Sequence, residues 1–189
     1  NNEYSKEILL SKKVVIPKPN KNFIWEMSGL NRQNFLGNIY STGVENKFLK
    51  KKIGSNKFDI NIKTSLLASE NNIFFSDDKG TLFNISEDGK IKWKQNIYSK
   101  AYKKISKNLT FSIFGNTIYV ADNVGFVYAI NIDNGNLIWT KNYGVSLRSN
   151  IKILDNKIFL IDQDNKIICL DAKDGSMIWN VLSISSFIK

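Results

Sequence analysis

The side chains able to do chemistry in this sequence are few, and their scarcity is informative. There is no His and a single Cys in 189 residues. Histidine-based triads, the commonest general base and ordinary zinc sites are therefore excluded, as is an intrachain disulfide. Asp162-Gln163-Asp164-Asn165 has the look of a calcium loop. Its sixth position is Ile167 rather than Gly and no Glu stands at the twelfth, so it reads as a turn and no metal is expected. Cys169 lies on an apolar stretch and reads as a small core residue.

Two clusters suit binding better than catalysis. Lys100, Lys103, Lys104 and Lys107 interleave with Tyr98 and Tyr102, a pattern single-stranded nucleic acid can use; the competing reading is a solvated loop. Val145-Ser146-Leu147-Arg148 joins two aliphatic side chains to one of the two Arg residues of the chain. On a rigid scaffold such a loop is a protein-binding hot spot, with Val145, Leu147 and Arg148 as contacts. The competing reading has Leu147 in the core and Arg148 covering a neighbouring acid.

The net charge of +10 has two explanations as well. One is an anionic partner, nucleic acid or membrane. The other is composition: Asn, Lys and Ile make up 76 of the 189 residues, as an AT-rich genome would produce. Lys outnumbers Arg 25 to 2 and is spread along the chain, whereas Arg is favoured for bidentate phosphate and base contacts. The compositional origin is preferred, and no nucleic-acid partner is expected.

The elements that must position these residues come from an internal repeat. Ile118–Trp139 reads as strand, turn, strand, turn and closing strand. The same unit occurs at Ile73–Trp93 and Ile158–Trp179, with Trp-to-Trp spacings of 46 and 40 residues. A period near 40 with several strands per unit predicts an all-β fold, a partial β-propeller of four-stranded antiparallel blades. The predicted blades span about 64–98, 109–143 and 149–182. Trp93, Trp139 and Trp179 recur at one repeat position and read as wedges between adjacent blades rather than a ligand platform. Gly89, Gly135 and Gly175 follow an acid or Asn at hairpins where positive φ is needed.

Residues 1–22 read as an extended tether stiffened by Pro17 and Pro19, with a short apolar contact at Val14–Ile16. Residues 23–189 form the propeller. Phe23–Met27 reads as an orphan strand pairing with a last blade. Ser28–Gly43 is loop, and Val44–Asn56 a solvated connection. Three blades do not close a ring, so the chain is expected to be the N-terminal part of a longer protein and, expressed alone, to self-associate. No run of 18 apolar residues is present.

The pattern Asp-x-x-Gly-x-Val-Tyr-Ala-Ile-Asn-x-x-Asn-Gly-x-Leu-Ile-Trp at Asp122–Trp139 resembles the PQQ-like propeller repeat. Phe23–Asn38, Val145–Asn150 and Ser185–Lys189 further resemble segments of the BamB-type outer-membrane protein assembly lipoproteins. That resemblance implies an eight-bladed, non-catalytic scaffold without cofactor at the periplasmic face of the outer membrane of a Gram-negative bacterium. It would be held by a lipid on a Cys upstream of residue 1. Implied partners are the periplasmic POTRA domains of the barrel-inserting protein BamA and unfolded outer-membrane protein clients. The family's aliphatic-x-aliphatic-Arg docking pattern maps onto Val145, Leu147 and Arg148. The alternative the repeat allows is a quinoprotein dehydrogenase using pyrroloquinoline quinone and Ca²⁺; a generic interaction propeller is another.

Overall fold

The computed structural model describes residues 15–41, 43, 66–77, 79–102, 105 and 107–183. Twelve strands fall into three antiparallel sheets of four. The first holds β1 (Leu67–Ser69), β2 (Asn72–Ser76), β3 (Thr81–Ser86) and β4 (Ile91–Asn96). The second holds β5 (Leu109–Phe114), β6 (Thr117–Asp122), β7 (Phe126–Asn131) and β8 (Leu137–Asn142). The third holds β9 (Lys152–Leu154), β10 (Lys157–Ile161), β11 (Lys166–Asp171) and β12 (Met177–Leu182). Each is a simple meander. A 3₁₀ turn at Lys100–Tyr102 is the helical element among the described residues.

Alternation on the two middle strands of each sheet makes both faces apolar, so each sheet needs a neighbour on both sides. Phe74 and Leu82 of the first sheet meet Ile113, Ile118, Val120, Tyr128 and Ile130 of the second. The other face of the second sheet presents Tyr119, Ala121, Val127 and Ala129 to Ile153, Ile158, Leu160, Ile168 and Leu170 of the third. These Ile and Leu side chains are almost fully buried, each contributing about 2 kcal/mol. The first strands touch in turn, β1 with β5 and β5 with β9, and so form the inner rim of the fan. The fourth strands are the most exposed. Every third-to-fourth strand pair breaks register at one repeat position, after Asn84, Ala129 and Cys169. In the first two sheets the closing strand beyond this bulge carries the Trp that bonds to the next sheet.

The N-terminal segment departs from expectation. Trp25 bridges Ala68 of β1 through two backbone hydrogen bonds, 2.7 and 2.9 Å. Glu26 O accepts the Ile113 N–H of β5 at 2.7 Å, and Met27 bridges Ser112. Arg32 Nε then donates to Ile153 O of β9 at 2.8 Å. The Lys152 ammonium donates back to Ser28 O, Asn31 O and Asn34 Oδ1 at 2.7–2.9 Å. Trp25–Asn34 is thus a strap across the inner rim of all three sheets, and among the described residues Phe23–Met27 makes isolated bridges in place of a continuous strand. The expected apolar contact at Val14–Ile16 is not made at Val15 and Ile16, which are exposed. Val14, most of the tether and Val44–Asn56 lie outside the described residues.

Candidate docking loop and the locks that hold it

The connection from β8 to β9 lies over two turns, one from each flanking sheet. In the second sheet Asp122 is buried, and its Oδ1 accepts the N–H groups of Val124, Gly125 and Phe126 at 2.8–2.9 Å. Its Oδ2 accepts the hydroxyl of Tyr98, which reaches over from the preceding sheet. Burial, with the Asp122 charge next in importance, raises the Tyr98 pKa well above the ordinary range. In the third sheet Asp162 plays the same part, its Oδ1 accepting Lys166 N–H at 2.9 Å, and Asp162–Asn165 is a turn. Among the described residues no group of three acidic, His or Cys side chains is placed to hold a metal.

Between these turns the loop is fastened at nearly every residue. A side chain at Gly125, whose φ is +104°, would meet Val145 O at 2.8 Å, so only glycine lets Val145 sit there. Ser146 Oγ donates to Asn123 O at 2.6 Å, and Ser146 O accepts Gln163 N–H at 2.8 Å. Leu147 bridges Asp162 and is 6% exposed, packed with the core shared by the second and third sheets. Arg148 is exposed. It donates through Nε to Asp162 O at 3.0 Å and through Nη2 to Asn165 Oδ1. Of the three residues singled out from the sequence, Val145 is half-buried, Leu147 is a core anchor and Arg148 meets solvent. Leu147 is therefore not free to fill a partner's groove, and Arg148 covers a backbone carbonyl, not an acid.

The repeat Trp residues hold the sheets in order. Trp93 donates Nε1–H to Ile132 O of the second sheet at 2.8 Å; Trp139 donates to Ala172 O of the third at 3.1 Å. Each ring lies on the glycine three residues further on. A Cβ at Gly135 would stand 2.6 Å from Trp93, and one at Gly175 would stand 2.7 Å from Trp139. Trp179, packed on Phe159 at a centroid distance of 6.1 Å, is 43% exposed. In the first sheet Gly89 bonds back three residues, to Ser86, whereas Gly135 and Gly175 bond back four. The first hairpin thus lacks the residue whose carbonyl takes a Trp N–H in the other two.

The basic-aromatic cluster is a solvated loop only in part: Lys100 is exposed, while Tyr98 and Lys107 turn inward. Tyr98 and Lys107 are buried, with the Lys107 ammonium 4.6 Å from the Tyr98 ring centre. Tyr102 packs edge-on against Phe126 at 5.1 Å. The rings are committed to the protein interior; Lys103 and Lys104 lie outside the described residues. Sequence reading missed the Tyr98–Asp122 bond, although the repeated Asp before each second hairpin was a signal for it.

Consecutive four-stranded meanders, a Trp lock between them and the Asp-x-x-Gly turn define a β-propeller protein of the PQQ-like repeat class. The family model for outer membrane protein assembly factor BamB matches residues 87–186, a little over half of the chain, and the chain belongs to that family. BamB of Kangiella koreensis is 24% identical over 110 residues, covering 56% of this chain and 28% of that protein. BamB of Moranella endobia is 26% identical over 86 residues, covering 40% and 22%. The chain spans less than a third of the length of these relatives. Among solved structures, BamB from Moraxella catarrhalis matches with a TM-score of 0.55 at 14% identity, over 66% of this chain and 36% of that one. Quinohemoprotein alcohol dehydrogenase from Comamonas testosteroni matches with 0.55 at 13%, over 66% and 21%. At such identities these structural likenesses speak for the fold alone.

Proposed function

We propose that the chain is part of a non-catalytic scaffold for outer-membrane protein assembly, docking through Val145–Arg148 onto the periplasmic domains of the barrel-inserting subunit. The observation that carries this is the exposed Arg148 on a loop held from both sides by the Asp122 and Asp162 turns. Nε and Nη2 face inward, and Nη1 is free among the described residues to meet a partner carboxylate or carbonyl. Val145 adds apolar contact. Leu147 acts from below, fixing the loop so that little conformational entropy is lost on docking.

In this reading the protein works at the periplasmic face of the outer membrane of a Gram-negative bacterium, tethered by a lipid borne upstream of residue 1. Unfolded outer-membrane clients pair with an exposed fourth-strand edge, as β-augmentation allows. The test is calorimetry with the partner's periplasmic domains. Arg148→Glu is expected to weaken binding at least about tenfold, equivalent to about 1.4 kcal/mol, with the thermal midpoint little changed. Unchanged affinity removes the loop from the interface.

A further inference from the structure

We propose that a cleft between the first two sheets binds a primary ammonium or guanidinium group. The cleft measures about 390 Å³ and lies at the end of the sheets formed by the β1–β2, β5–β6 and β7–β8 turns. At its base is Asn84 of β3, only 2% exposed. Asn84 Nδ2 donates to Ile132 O at 3.5 Å, while Oδ1 has no hydrogen-bond partner. Exchanging the two amide atoms would set oxygen against the Ile132 carbonyl, so this orientation is the favourable one.

A buried carbonyl without a donor costs about 1–3 kcal/mol. The fold does not require that cost. The equivalent positions of the other sheets, at the same register break, are Ala129 and Cys169. Polarity at this point is peculiar to the first sheet.

The surrounding groups specify what the ligand must offer. Lys92 Nζ donates to Asn72 Oδ1, and Asn116 Nδ2 donates to Asp133 Oδ2 at 2.8 Å. These internal bonds engage donors of the lining. Among the described residues the acceptors left without a donor are Asn84 Oδ1, Asp133 Oδ1 and the Glu70 carboxylate, and the two carboxylate charges outnumber the single charge of Lys92. A group rich in donors, without acceptors and positively charged matches that set, which describes an ammonium or guanidinium. Its source is either a small free amine or a Lys or Arg side chain on a polypeptide.

The test follows backbone amide shifts of the chain by NMR during titration with n-butylammonium, ethylguanidinium and an extended peptide carrying one Lys. Tetramethylammonium, a cation with no N–H, is the control. Saturable shifts around Glu70, Asn84 and Asp133 with the N–H cations, and none with the control, are expected. Asn84→Ala, which installs the residue of the second sheet, should fold normally and weaken binding at least about tenfold. Glu70→Gln should weaken it less. Tighter binding of the peptide than of butylammonium assigns the site to a polypeptide side chain; equal or weaker binding assigns it to small amines. No saturation at tens of millimolar, equal binding of tetramethylammonium, or full affinity in Asn84→Ala would each overturn the proposal.

Discussion

At the scale of single residues, the contact between a Trp and a glycine of the next sheet orders this fold. Gly175 is at φ +72°, with the Trp139 ring where a Cβ would go. Gly175→Ala therefore combines backbone strain with overpacking, and a loss of about 2–4 kcal/mol is expected from the denaturant midpoint. A loss no larger than that of an exposed-loop substitution would mean that the lock contributes little. Both partners were legible in the sequence, because recurrence at a fixed position marks a structural role. The burial of Leu147 was not legible: an aliphatic residue beside an Arg reads alike whether it points inward or outward.

Buried tyrosines add a pH dependence at the same scale. Burial, and then the charge of Asp174, push the Tyr143 hydroxyl from 10.0 up to about 12. Tyr98, Tyr119 and Tyr128 are also raised, burial again the leading cause. Above pH 10 the unfolded chain loses these protons while the folded chain retains them. The folded state then binds more protons, so stability falls as pH rises. The stabilisation is full below pH 10, and for Tyr143 it is lost progressively up to about 12. Denaturant midpoints at pH 8.5 and 11 should differ in that direction, and Tyr143→Phe should flatten the slope.

At the scale of elements, hairpins and strands were readable because their signals are local: alternating apolar residues, Asx-Gly turns and a closing Trp. The strap was not. Its hold on the sheets runs through backbone carbonyls and the long side chains of Arg32 and Lys152, more than a hundred residues apart in sequence, and leaves no periodic trace. Desolvation lowers the Lys152 pKa, while three oxygens of the strap surround its ammonium. Lys152→Met keeps the stem and removes the donors. It should cost about 1–3 kcal/mol and expose Ser28–Asn34 to limited proteolysis. An unaltered cleavage pattern would show that the strap is held by its Trp25 and Glu26 contacts instead.

At the scale of the whole molecule, the second sheet is half of two interfaces, one with each neighbour. The face of the third sheet carrying Phe159, Ile161, Ile167, Cys169 and Trp179 repeats, forty residues on, the face by which the second sheet packs on the third. The first hairpin, one residue short, breaks that regularity at the other end of the fan. The Val145–Arg148 loop sits where the regular part is best fastened, over two Asp-centred turns, as a docking surface needs. The repeat made the fold legible from sequence; the Val145–Arg148 loop was legible in position and charge but not in which of its side chains reach solvent.

The most direct measurement is hydrogen exchange of this protein with and without the periplasmic domains of the barrel-inserting subunit. The account predicts slowed exchange at 144–149 and at the two turns beneath, 122–125 and 162–165, with little change at the β3–β4 hairpin. Binding that leaves those amides unprotected and protects another surface would contradict it.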